Sequence, residues 1–178
     1  AAAAWLFLVL PAWGLNSALE GGVNVQRLEP GEIDTLTAVL RTLEPVILAK
    51  KRDGTAILLT WEELYEPLPE PQRVFLDEFR ALKAGDLGAT SHYFGELPTA
   101  PDLVPVGPQA IRKDGQTVPL DPQYLPRPVF EAYERMMQAM ARDLGRRLLV
   151  ESGYRSPAYQ LYLFLFYLPK HDHSIVDT

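Results

Sequence analysis

The residues best suited to chemistry lie in one run, Ser152-Gly153-Tyr154-Arg155-Ser156-Pro157-Ala158-Tyr159-Gln160. Arg155 is the strongest candidate. A guanidinium stays charged and offers several fixed donors, which suits a carboxylate or an oxyanion that forms during a reaction. Gly153 permits backbone geometry that a Cβ would resist. Ser156-Pro157 has the signature of a helix start, with serine as N-cap and proline at the first helical position. Upstream, Leu148-Leu149-Val150 reads as a short buried strand, because branched side chains suit a pleated core position. A strand that ends, turns and opens into a helix would display Ser152, Tyr154 and Arg155 at the top of the fold. The competing readings are a surface ion pair for Arg155 and a packed ring for Tyr154.

Composition bounds what surrounds this turn. A chain of 178 residues fits one domain, or a small domain with an N-terminal extension. Its 47% hydrophobic and 22% charged residues are enough to build a core. The net charge of -6 argues against a general nucleic-acid binder, which needs a basic face. With no cysteine, disulfide frameworks, thiol nucleophiles and thiolate metal sites are excluded.

Residues 1–10 form an apolar run too short to span a bilayer comfortably as a helix. Small residues follow at Ala12, Gly14 and Ser17-Ala18, spaced as at a signal-peptidase site. Residues 1–18 therefore read as a truncated export signal, against the alternative of a buried N-terminal helix. Export would place the protein in the periplasm or the extracellular cell envelope, with no stable membrane span in the mature chain.

Further along, Leu36, Val39, Leu40 and Leu43 predict a helix over 33–43, stopped by Glu44-Pro45. Asp53-Gly54 between apolar runs predicts a hairpin over 46–60. Residues 61–65 read as a short helical turn with Glu62 and Glu63 solvated. Phe75, Phe79 and Leu82 predict a helix over 72–83 that ends near Gly85. Residues 88–108 read as a long loop in which His92 is a packing or surface residue. Lys113-Asp114-Gly115 predicts a hairpin over 109–120. Tyr133, Met137, Met140 and Leu144 predict a helix over 129–144 with Gly145 as its stop and methionine as core filler. The helix over 156–168 is apolar on all sides, which implies burial from several directions.

Over 121–168, this helix, strand and turn resemble the VanY-type D-alanyl-D-alanine carboxypeptidases, zinc peptidases that trim peptidoglycan stem peptides. That family carries a Ser-Gly-Tyr-Arg-Ser turn followed four residues later by glutamine, as Gln160 follows Ser156 here. The resemblance implies that Arg155 contacts substrate and stabilises charge at the scissile carbonyl. It implies that Gln160 hydrogen-bonds the peptide or its terminal carboxylate, and that Ser152 and Tyr154 shape the turn or line the pocket. It also implies an α+β fold, with helices packed on a small, mainly antiparallel sheet, incomplete at its C-terminal end.

The family's zinc is held by a Ser-x-His-x-x-Gly-x-Ala-x-Asp segment and a later Trp-His. Here His171-Asp172-His173 and Asp177 lack the glycine and alanine, fall one residue short, and are followed by no Trp-His. No residue of this chain is therefore assigned to the metal. The chain alone is expected neither to bind zinc tightly nor to cleave peptide. The expected organisation is an export signal over 1–18, an extension or small α+β region over 19–120, and the first part of a carboxypeptidase-like core over 121–178. The expected partner is a peptidoglycan stem peptide. Two alternatives are a non-catalytic cell-wall binding domain and an unrelated α+β interaction domain.

Overall fold

The structure, a computed structural model, describes residues 22–87 and 102–178. The export-signal reading of 1–18, His92 and most of the expected 88–108 loop lie outside the described residues.

The first helix, α1 (Pro30–Arg52), starts as its sequence demands. Pro30 occupies the first turn, and the Glu29 N–H donates to Glu32 Oε2 at 2.6 Å. It does not stop at Pro45. Leu36, Val39, Leu43 and Ile47 are all buried on one face, so the apolar stripe continues past the proline. Pro45 itself is exposed, so the carbonyl it leaves without a donor lies toward water. An interior proline costs about 3 kcal/mol; burial of Ile47 and the remaining turns offsets it. The expected hairpin over 46–60 is likewise absent. Asp53 and Gly54 end α1, donating to the Ala49 and Lys51 carbonyls at 3.1 Å each, with Gly54 at φ +69°. The left-handed backbone that a tight hairpin requires is also what a helix end requires.

A 3-10 turn (Ala56–Leu58) leads to α2 (Trp61–Tyr65). The Glu63 N–H donates to Thr60 Oγ1 at 3.2 Å, and the Thr60 N–H donates to Glu63 Oε2 at 2.8 Å. Glu63 also pairs with Lys50 Nζ at 2.6 Å, tying α2 to α1. Desolvation raises the Glu63 carboxyl, but the bonds from Lys50 and Thr60 hold it below the usual carboxylate range. In α3 (Glu70–Ala81), Phe75, Leu76 and Phe79 are buried, and the two rings meet edge-on at 4.9 Å. This helix ends at Leu82, which is extended, before Gly85 is reached.

The C-terminal helix α5 (Pro157–Tyr167) and the 3-10 turn after it (Leu168–His171) close the core. Leu43, Leu59, Leu64 and Leu76 from one part of the chain cluster with Leu165 and Leu168 from the other. Residues on both sides of position 120 thus share one apolar cluster.

Two small antiparallel sheets make the fold α+β. Strand β1 (Leu103–Pro105) pairs with β4 (Tyr124–Pro126), and β2 (Ala110–Lys113) with β3 (Gln116–Pro119). The β2–β3 turn is Asp114-Gly115, at φ +52° and +80°, as the sequence predicts. Helix α4 (Arg127–Leu144) packs on β1 and β4 and ends at Gly145 in the left-handed region. Its methionine stripe does not fill the main core. Only Met137 is buried on α4, and Leu144 is 64% exposed. Among the described residues no helix is long and apolar enough to cross a membrane.

The expected strand at 148–150 is not formed. The Val150 N–H donates to Gln109 Oε1 at 2.7 Å, and Gln109 Nε2 donates to the Val150 carbonyl at 3.1 Å. The Leu148 carbonyl accepts from the Tyr133 hydroxyl at 2.9 Å. Side chains satisfy the backbone groups that a ladder would have paired, and Leu148 and Leu149 are exposed.

Gly153 sits where the turn crosses β4. A Cβ there would collide with the Tyr124 carbonyl oxygen, which accepts the Tyr154 N–H at 2.7 Å. Gly153→Ala is expected to lower stability in urea unfolding by about 1–3 kcal/mol, the usual range for overpacking. Gly31→Ala, with nothing near its Cβ position, should not. Equal midpoints for Gly153→Ala and the parent chain would contradict the close approach to β4.

Candidate functional site

Ser156 fixes the site to the core. Its N–H donates to the Ile57 carbonyl at 2.9 Å, and its hydroxyl donates to the Leu59 carbonyl at 2.6 Å. The same oxygen accepts the Tyr159 N–H at 3.1 Å, so the expected N-cap is formed. On the other side, the Gly153 N–H donates to Gln123 Oε1 at 2.9 Å and the Tyr154 N–H donates to Tyr124 on β4. Arg155 lies between these two anchors. The backbone that carries it is held from both directions while its side chain is exposed.

The surface ion pair considered for Arg155 is not formed: among the described residues no acid or carbonyl bonds its guanidinium. Elsewhere arginines do pair, as Arg127 with Asp102 and Arg147 with Glu134 at 2.8 Å. The charge of Arg155 is felt nearby. Burial raises the Tyr159 hydroxyl above the usual tyrosine range, and Arg155 opposes that rise.

Arg155 and Gln160 line one open pocket of about 330 Å³. Leu163, Phe164, Tyr167, His171 and Thr178 complete its lining. From Gln160 the lining follows helical spacing, through Phe164 and Tyr167 to His171, so one face of α5 and the following turn builds it. Ser152 is exposed and Tyr154 half-buried, and neither lines this pocket. The spacing four, three and four residues on from Gln160 was the available signal for Phe164, Tyr167 and His171. It was hidden because every position from 161 to 167 is apolar or aromatic.

A guanidinium and a carboxamide lining one pocket with apolar side chains can bind a carboxylate. Both supply N–H donors, and the bond from the guanidinium is charge-assisted. The His171-Asp172-His173 segment has a structural task. Asp172 and His173 adopt φ +51° and +61°. The His173 N–H donates to the Leu168 carbonyl at 2.9 Å, and its own carbonyl accepts the Leu28 N–H at 3.0 Å. Among the described residues, no group of three or more histidines, aspartates and glutamates comes together to hold a metal ion.

No family model, curated protein or solved structure matches the chain.

Removing the Ser156 hydroxyl deletes the cap on Tyr159 and leaves the Leu59 carbonyl without its donor. Ser156→Ala is expected to cost about 1–3 kcal/mol in urea unfolding, with faster amide exchange at Tyr159. Unchanged exchange at Tyr159 would show that this hydroxyl is not what anchors α5.

Proposed function

We propose that the chain carries the substrate-side wall of a zinc D-alanyl-D-alanine carboxypeptidase-like peptidase, exported to act on peptidoglycan stem peptides. The observation that carries the reading is the meeting of Arg155 and Gln160 in one open pocket, with no acid among the described residues neutralising the arginine. Arg155 and Gln160 bind the carboxyl end of the peptide, and the two backbone anchors of the turn hold Arg155 in place. In a carboxypeptidase the same guanidinium stands beside the carbonyl that is cut, where it stabilises negative charge forming on the oxygen. The family's fold, zinc and exported location belong to this proposal. Zinc has no ligand set among the described residues, so this chain's share of the chemistry is to bind and orient the peptide.

A non-catalytic cell-wall binding domain would use the same pocket for binding alone. Calorimetric titration with an acylated D-alanyl-D-alanine dipeptide tests what both share. Arg155→Ala is expected to weaken binding about 10- to 100-fold, the worth of a hydrogen bond to a charged group. Arg155→Lys should fall between, since it keeps the charge and loses the fork. Release of D-alanine by this chain when zinc is added would overturn the division in which the chain binds the peptide without the metal. Equal affinity for the parent chain and Arg155→Ala would leave an unrelated interaction domain as the better account.

A further inference from the structure

We propose that the face of α5 from Gln160 to His171 is a distal subsite that reads the length of the bound peptide, with His171 contacting the residue furthest from its carboxyl end. This rests on the reading that Arg155 and Gln160 hold the carboxylate. From Arg155 and Gln160 the lining runs along α5 and the turn after it, through Leu163, Phe164 and Tyr167 to His171, polar at both ends of the run and apolar between. At about 1.5 Å per residue from Gln160 to Tyr167 and about 2.0 Å per residue through the 3-10 turn to His171, this stretch is about 18 Å long. An extended peptide advances about 3.3 Å per residue, so it matches about five or six residues.

The middle of the groove is built to stay in place. Leu163 and Phe164 are half-buried against the core. The Tyr167 ring is covered by Lys170 Nζ at 4.5 Å from its centroid and meets Phe166 edge-on at 5.5 Å. A wall already held by its neighbours loses little freedom when a ligand binds. None of the lining side chains is acidic. The His171 imidazole is exposed and carries an N–H that can donate to a backbone carbonyl or side-chain carboxylate of the peptide.

The test is calorimetric titration of acylated peptides of two, three, four and five residues, each ending in a D-alanine carboxylate. In the parent chain, affinity rises with length through five residues. His171→Ala weakens the longest peptide about three- to tenfold more than the dipeptide, the usual worth of one hydrogen bond. His171→Gln, which keeps a donor, recovers part of that difference. Arg155→Ala weakens every length by the same factor. Affinity independent of length, with binding still dependent on Arg155, would overturn the subsite and leave the carboxylate reading standing. His171→Ala weakening all lengths alike would also overturn it. Indifference of every length to Arg155→Ala would remove the carboxylate reading itself, and the subsite with it.

Discussion

The hydroxyl of Ser156 is the contact on which the site depends. One oxygen donates to the Leu59 carbonyl and accepts the Tyr159 N–H, while the backbone of the same residue donates to Ile57. It joins chain segments 97 positions apart at the start of a helix. Ser156 is buried, so each of these groups would be costly to leave unpaired. The apolar cluster of α1, α2, α3 and α5 supplies the bulk of the stabilisation, but it is not directional. The hydrogen bonds at Ser156 select where α5 begins, and therefore where Arg155 stands.

The exposure of Arg155 follows from the asymmetry around that point. Residue 153 is pressed on β4 and residue 156 on the core, which leaves residue 155 as the position whose side chain reaches solvent. The backbone that carries the guanidinium is held at both sides, while the exposed side chain keeps its rotamer freedom until a ligand arrives. The face of α5 below it continues the groove through apolar and aromatic groups. Burial of the opposite face, through Ala158, Tyr162 and Leu165, keeps that groove facing outward.

Sequence periodicity located α2, α3, α4, α5 and the Asp114-Gly115 hairpin, because in each the local turn and cap chemistry agrees with the final packing. It failed where two signals conflicted. Pro45 and Asp53-Gly54 read as breaks, whereas burial of Ile47 carried α1 through the first and used the second as a helix end. Leu148-Leu149-Val150 read as a buried strand, whereas Gln109, distant in sequence, took the backbone bonds. No local window reveals that partner. Of the pocket lining, Arg155 and Gln160 could be singled out from their place around a helix cap. Ser152 and Tyr154 were expected to shape the turn or line the pocket; the Tyr154 N–H ties the turn to Tyr124, and neither residue lines this pocket. Phe164, Tyr167 and His171 were not legible, since an all-apolar helix does not announce which face stays open.

The central claim is that the Arg155 guanidinium is the group that receives a peptide carboxylate. The direct measurement is the side-chain Nε–H NMR signal of Arg155 during titration with an acylated D-alanyl-D-alanine dipeptide. A saturable shift of that signal, absent when the terminal carboxylate is amidated, is the predicted result. A signal that stays fixed while resonances elsewhere saturate would contradict it.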